Sequence, residues 1–194
     1  MNTPTGDMTD RQLLRAYAEG NDTDSLGRFF GRYQDSLVRF VGRLLRDFDR
    51  AQDVVQETFL EVASHPRRLL DVESCHNWLL RVARNIGISH LRREARARKH
   101  APAVAARAQS AAALETAVTQ RKIEREEVRD RVRAAIDRLS PRHRELLLLK
   151  VEEDKSYREI AGITGLTVTN VGYLLHRAMK DLTRRLHDSR EDLL

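Results

Sequence analysis

The 194-residue chain contains a single cysteine, Cys75, and few aromatic, glycine or proline residues. One cysteine cannot form an intramolecular disulfide, and it cannot build a cysteine-based zinc site by itself. Aromatic residues make up 5% of the chain, with nine glycines and four prolines. Because a third of the residues are charged and helix breakers are scarce, the composition predicts an all-α protein.

Long hydrophobic runs are also missing. No run of consecutive apolar residues is longer than the one from Leu146 to Leu149, so the sequence predicts no membrane-spanning helix. The first ten residues are polar and acidic, whereas a secretory signal begins with basic and then apolar residues. We therefore expect the protein to act in the cytoplasm.

Charge is abundant, and the formal net charge is +6. A basic chain suits a polyanionic partner, and nucleic acid is favoured here over a membrane, although charge alone also keeps a protein in solution. His65, His76 and His90 lack a second pair of ligands at metal-binding spacing. We predict no metal site and no cofactor.

The middle of the chain separates two helical parts. Residues 100–122 are rich in alanine, contain Pro102 and lack bulky apolar residues at core spacing, which predicts a flexible linker. The hydrophobic periodicity on either side predicts two small helical domains, residues 1–99 and 123–194, within an all-α fold.

A helix predicted after Asp47 has one apolar and one polar face. The apolar face carries Ala51, Val54, Val55, Thr58 and Val62, and the polar face carries Asp49, Gln52, Asp53 and Gln56. The helix should end near His65-Pro66, because proline restricts the residue before it and lacks an N–H donor. Ser74 is predicted to cap the next helix.

The segment from Ser156 to Leu186 predicts a helix-turn-helix. Gly165 supplies a turn residue able to adopt positive φ, and Thr167 can cap the second helix. The inward face of that helix carries Val171, Leu174, Leu175, Ala178 and Leu182. A plain helical hairpin with a solvated polar face is the alternative interpretation.

The outward face of the second helix has the character of a DNA-reading surface. Thr169, Asn170 and Tyr173 lie in its N-terminal half, the part that enters a major groove. His176, Arg177 and Lys180 lie further along, where phosphates are contacted. Ser140-Pro141 is predicted to begin an earlier helix of the same domain, because proline suits the first helical turn.

A second polar stripe lies on the helix after Ser74. Trp78, Arg81, Asn85 and Arg92 share one face, and Arg93 continues the basic run. An aromatic ring with amide and guanidinium groups suits separated DNA strands. Taken by itself the stripe is ambiguous, because tryptophan at helical spacing often belongs to a core.

Three stretches together resemble the extracytoplasmic-function (ECF) sigma factors. They are Asp53–Leu60 (DVVQETFL), Trp78–Asn85 (WLLRVARN) and Leu175–Ala178 (LHRA). Their order, their spacing and the linker between them all match, and the resemblance spans nearly the whole chain. It implies a non-enzymatic factor that binds core RNA polymerase, recognises promoter DNA and opens the minus-ten element without ATP.

The resemblance also implies where each partner binds. The first domain would bind the clamp coiled coil of the largest polymerase subunit, and the second would bind the flap of the next subunit and read the minus-thirty-five element. The loop His65–Asn77 would capture a flipped base. The resemblance assigns Asp53, Gln56 and Glu57 to polymerase, and the polar face adds Asp49 and Gln52. It assigns Asn85 and Arg92 to minus-ten DNA, and the polar stripe adds Trp78, Arg81 and Arg93. The candidates for minus-thirty-five DNA are the outward-facing Thr169, Asn170, Tyr173, His176, Arg177 and Lys180.

The chain departs from the family pattern in two places. Arg50-Ala-Gln-Asp53 stands where the family usually has Asp-Ala-Glu-Asp, and Gly172-Tyr-Leu174 stands where Lys-Ser-Arg is common. The remaining acids Asp49, Asp53, Glu57 and Glu61 can suffice for binding. The alternative hypothesis is that phosphorylation of Thr58 or Ser64 restores negative charge, which would make a kinase a partner. An anti-sigma factor is a second candidate partner.

Two other functions compete with this interpretation. A helix-turn-helix regulator would bind duplex DNA without polymerase, but it would not account for the motifs around Gln56 and Asn85. A helical hydrolase would need a paired acid and histidine constellation, which the sequence does not provide at a credible spacing.

Overall fold

The computed structural model describes the backbone of residues 8–100 and 120–191, and all regular structure in these ranges is helical. The all-α prediction is therefore confirmed. The chain divides into two compact units, Met1–Ala103 and Val104–Leu194, and the division falls within the predicted linker. Residues 101–119 of that linker lie outside the described residues, so the domain boundaries stay a prediction.

The first unit contains α1 (Asp10–Gly20), α2 (Thr23–Leu45), α3 (Phe48–Ser64) and α4 (Cys75–His100), with a 3₁₀ turn at Pro66–Leu69. Polar side chains start the first three helices, because Thr9, Asp22 and Asp47 each accept a hydrogen bond from a free backbone N–H of the first turn. As predicted, α3 ends before Pro66, and Ser74 Oγ accepts from Asn77 N at 3.2 Å.

The core of the first unit lies where α2 packs against α1, α3 and α4. The largest fully buried side chains there are Leu13, Leu14, Phe29, Leu37, Phe40, Leu69, Leu79 and Leu80. Phe30 and Phe59 stack beside this core with ring centroids 4.1 Å apart. The predicted apolar face of α3 is buried throughout, which fixes the direction in which its polar face points.

The second unit contains α5 (Gln120–Asp137), α6 (Pro141–Leu147), α7 (Tyr157–Thr164) and α8 (Val168–Glu191), with a π-helical turn at Leu148–Glu152. Ser140 caps α6 as predicted, accepting from His143 N at 3.3 Å. The four leucines from Leu146 to Leu149 are fully buried across the change from α to π geometry. The charge of buried Glu145 is paired with Arg142 at 2.8 Å, as a buried carboxylate requires.

Candidate nucleic-acid and partner-binding surfaces

Local hydrogen bonds build the helix-turn-helix of the second unit. Ser156 and Glu159 form a capping box at the start of α7. Gly165 takes φ +74°, and its N–H donates to the Ala161 carbonyl at 2.9 Å, which ends the helix. Thr167 Oγ1 accepts from Asn170 N at 3.2 Å and starts α8. The predicted roles of Gly165 and Thr167 are confirmed.

Burial divides α8 into an inner and an outer face. Val171, Leu175, Ala178 and Leu182 are buried, while Leu174 is half-buried. The six residues predicted to contact minus-thirty-five DNA are all exposed: Thr169, Asn170, Tyr173, His176, Arg177 and Lys180. The outer face therefore offers hydroxyl, amide, aromatic and cationic groups together.

Tyr173 and Arg177 interact along the outer face of α8. Arg177 Nη1 donates to the Tyr173 hydroxyl at 3.3 Å, and the guanidinium carbon lies 5.8 Å from the ring centroid. These distances fit a cation–π contact between residues one turn apart. Tyr173 is 58% exposed, and Arg177 is exposed as well. The contact therefore restricts the Arg177 side chain without removing it from solvent.

Two exposed apolar side chains beside this face were missed by the sequence reasoning. Val168 is 48% exposed at the start of α8, and Tyr157 is 45% exposed on α7. The Tyr157 ring lies next to Gly172, where an added Cβ would stand 3.6 Å from it. A side chain at position 172 would therefore contact the Tyr157 ring, and glycine leaves that side of the ring open. The sequence alone could not show this, because Gly172 and Tyr157 lie on different helices.

The polar face of α3 is exposed along its length. The residues predicted for polymerase binding are all exposed: Asp49, Gln52, Asp53, Gln56 and Glu57. Leu60 lies on the same face one turn beyond Gln56 and is 66% exposed. A single exposed leucine is ordinary, but Leu60 continues into a groove lined by apolar side chains of α4, and an apolar patch rimmed by polar residues is typical of an interaction site. Sequence reasoning missed Leu60, although its helical spacing from Asp53 and Gln56 was a usable signal.

Polar and charged side chains of α3 contact those of α4. Arg50 Nε lies 3.0 Å from Asp47 Oδ2, and its Nη1 contacts Glu94 of α4. His90 Nε2 lies 3.2 Å from Glu57 Oε1. The hydrogen bond to Glu94 raises the pKa of Arg50 above its usual range. Arg50, the base at a usually acidic position, is thus engaged within the first unit.

Four of the five residues of the predicted minus-ten stripe on α4 face solvent, and the fifth is half-buried. Arg81, Asn85, Arg92 and Arg93 are exposed. Trp78 is half-buried and lines an open groove of about 550 Å³ between α3 and α4. The apolar lining of this groove is Leu60, Trp78, Val82 and Ile86. Trp78 is therefore partly packed against the protein and partly accessible in the groove. The sequence left open whether Trp78 belongs to the core or to a DNA-binding stripe, and its half-buried position fits both.

The two predicted phosphorylation sites differ in accessibility. Thr58 is fully buried, and its hydroxyl donates to the Val54 carbonyl at 2.7 Å. Ser64 is exposed at the end of α3. A kinase therefore cannot reach Thr58 in this fold, because its hydroxyl faces the core, and only Ser64 remains as a candidate.

The segment from His65 to Asn77, predicted as a loop, contains the 3₁₀ turn Pro66–Leu69 and the first residues of α4, and its Leu69 and Cys75 are buried. Leu69 is fully buried, and Cys75 Sγ lies 3.9 Å from the Leu69 carbonyl oxygen.

Within the residues described, no group of histidine, cysteine or acidic side chains is arranged to hold a metal ion. No helix in the same residues is long and apolar enough to cross a membrane.

Comparisons with known proteins show the family to which the chain belongs. The sigma-70 region 2 family model matches residues 29–97, and the sigma-70 region 4 model matches residues 129–182. The ECF RNA polymerase sigma factor EcfG of Rhodopseudomonas palustris is 31% identical over 88% of this chain and 90% of its own length. The RNA polymerase sigma factor YlaC of Bacillus subtilis is 23% identical over 87% of this chain and 96% of its own length.

A solved structure shares the fold. The sigma factor RpoE from Bartonella quintana, determined in complex with the anti-sigma factor NepR, superposes with a TM-score of 0.69 and is 20% identical. The match covers 83% of this chain and 96% of that chain. One family model falls in each of the two helical units. The chain belongs to the ECF group of the sigma-70 family and is an alternative sigma factor that acts with RNA polymerase on promoter DNA.

Proposed function

We propose that the two units divide promoter recognition between them. The exposed face of α3 binds the clamp coiled coil of the largest polymerase subunit, and the polar stripe of α4 holds the separated strands of the minus-ten element. The outer face of α8 reads the minus-thirty-five element, while the second unit binds the flap of the next polymerase subunit. The protein works in the cytoplasm as a subunit of the holoenzyme and catalyses no reaction itself.

The observation that carries this proposal is the contrast between α3 and α4. The exposed Glu57 of α3 borders the apolar groove that Leu60 lines, and the exposed Gln56 lies one turn before Leu60. An apolar patch rimmed by polar groups suits a protein partner. The exposed end of α4 instead carries Arg92, Arg93 and Arg96, which suits phosphates. Two surfaces of different chemistry on adjacent helices fit a factor that binds polymerase and DNA at once.

The same surfaces suggest how the factor is regulated. An anti-sigma factor that covers Leu60 and Glu57 would compete with polymerase, and an anti-sigma factor is present in the structure of the Bartonella quintana sigma factor. A kinase acting on exposed Ser64 would add about −1.5 to −2 charges near the acidic face of α3. Both partners remain proposals for this chain.

Transcription with purified components tests the proposal. The protein is added to bacterial core RNA polymerase and genomic DNA from its source, and transcript start sites are mapped. We expect new starts that share paired minus-thirty-five and minus-ten elements. Leu60→Ala and Gln56→Ala should weaken core binding, whereas Gln34→Ala, which removes an exposed amide from α2, should not.

A different result would support the competing function. A helix-turn-helix regulator would bind a specific duplex tightly without polymerase, and core polymerase with this protein would start no new transcripts. In that case the α3 variants would bind DNA normally and would fail to show any polymerase phenotype.

A further inference from the structure

The basic end of α4 lies close to the start of α3. Arg92, Arg93 and Arg96 are exposed there, and Glu94 is the only acidic residue between positions 92 and 99. Glu94 is half-buried and contacts Arg50. A single acid within the basic run is therefore turned toward α3 by an ion pair.

Arg50 is held in place from its own helix. Asp47 caps α3 by accepting from Arg50 N at 3.0 Å, and its second carboxylate oxygen lies 3.0 Å from Arg50 Nε. The guanidinium is planar and presents its donors in a fixed fork. With Nε fixed on Asp47, Nη1 points toward Glu94, so little side-chain freedom is lost when the contact with α4 forms.

An acid at position 50 would reverse this arrangement. It would face Asp47 and Glu94, and like charges at such distances repel. The base at position 50 and the acid at position 94 therefore belong together, although they are 44 positions apart in sequence. The unusual Arg50 is explained by its contact inside the first unit, with no need for a contact to polymerase.

We infer that Arg50 is a positioning residue for promoter opening: through Glu94 it holds the basic end of α4 against α3, so that Arg92, Arg93 and Arg96 are presented to the phosphates of the opened minus-ten strand. Arg50 also neutralises Glu94, the one acid that would weaken this phosphate-binding run. The inference rests on the proposed assignment of α4 to minus-ten DNA.

Charge variants of the full-length protein in holoenzyme test this role. With core polymerase saturating, promoter opening is measured by permanganate reactivity, and core affinity is measured separately. We expect Arg50→Gln and Glu94→Gln to lower opening about 2- to 5-fold, the range for one exposed ion pair. Arg50→Lys should fall between the unchanged protein and Arg50→Gln, because lysine keeps the charge but lacks the fixed fork, and Arg50→Glu should be the most impaired variant.

Arg15→Gln is the matched control, because it removes an exposed arginine that pairs with Glu19 on α1 at 3.7 Å. If Arg50→Glu opens the promoter as well as or better than the unchanged protein and also binds core polymerase more tightly, the inference is overturned. Arg50 would then matter only because it replaces an acid that binds the clamp. Impairment of Arg50→Lys equal to that of Arg50→Gln would also overturn it. If Arg92→Ala and Arg93→Ala leave opening intact, the assignment of α4 to DNA fails instead.

Discussion

At the scale of single residues, function depends on which side chains are turned outward and what restrains them. Asn170 and Tyr173 lie exposed in the first half of α8, and Tyr173 is joined to Arg177 by a hydrogen bond and a ring contact. An amide can make two hydrogen bonds to adenine in the major groove, whereas a lysine meets phosphate as a point charge. Neighbouring side chains on one helix therefore play different parts in recognition.

Asn170→Ala and Tyr173→Ala should weaken binding to the specific promoter by roughly 1–3 kcal/mol each and should relax its sequence preference. Lys180→Ala should weaken binding to all sequences alike and reduce the salt slope by about 1. Binding of holoenzyme to promoter and to scrambled duplex across a salt series measures both effects. Equal losses on both duplexes for all three variants would show that the assigned face of α8 is wrong.

Cys75 provides a test of packing at the start of α4. It is buried, and desolvation raises its pKa to about 11. The thiolate is the reactive form, and at pH 8 its fraction is about 100-fold lower for a pKa of about 11 than for the ordinary 9.0. We expect native protein to react with iodoacetamide at least that much more slowly than protein in urea. Equal rates would mean that Cys75 is not buried.

At the scale of secondary-structure elements, the turn between α7 and α8 sets the position of the recognition helix. Gly165 has φ +74° at the end of α7, whereas Gly162 lies inside the same helix with open space around its Cα. Replacing these two glycines, which are three positions apart, should therefore have opposite effects on stability. Only Gly165 needs the freedom that a missing Cβ gives.

Gly165→Ala should destabilise the second unit by about 1 kcal/mol, because an L-residue is strained at positive φ. Gly162→Ala should stabilise the same unit by roughly 0.5–1 kcal/mol, because alanine favours a helix interior. Thermal unfolding followed by circular dichroism measures both changes. Shifts of the same sign in the two variants would contradict the turn geometry described for Gly165.

The α4 helix should act after polymerase binding. Asn85 is exposed, and its Oδ1 accepts from Arg84 Nη1 at 2.9 Å. Asn85→Ala should reduce permanganate reactivity of a duplex minus-ten element, because its partner exists only in the separated strand. Core binding should be unchanged, and a pre-melted promoter should restore the complex. Failure on the pre-melted template would point instead to a folding defect.

At the scale of the whole molecule, an excess of six positive charges is combined with locally acidic patches. The net charge favours long-range attraction to DNA, while α3 presents an exposed face of acids, amides and a leucine. The recognition surfaces belong to two compact units, each with its own buried side chains. Charge thus brings the factor to DNA, and shape and local chemistry decide what each surface contacts.

Holoenzyme formed with this protein should open its promoter without nucleotide hydrolysis. Unstacking costs about 1.4 kcal/mol per base step, and contacts made only by the opened strand can offset this cost. Permanganate footprinting in the absence of any nucleoside triphosphate should therefore detect the open minus-ten element. A requirement for hydrolysable ATP would contradict an opening mechanism based on strand capture.

The sequence by itself determined most of the helices, several of their ends and most of their faces. Ser74, Ser140 and Thr167 cap helices as predicted, and the apolar positions of α3 are buried as predicted. These features follow from hydrogen bonds to the next turn and from the 3.6-residue period, which act within a few residues. The three family motifs were recognisable for the same reason, since each lies on one helix.

Only the tertiary structure decided how residues on different helices meet. It placed Arg50 on Glu94, Glu57 beside His90, and Trp78 in a groove with Leu60. Such contacts depend on the angle and depth at which α3 packs against α4, and no local pattern records these quantities. The same packing buried the Thr58 hydroxyl, which removed it from kinase access, because a helix face becomes inaccessible only when another element covers it.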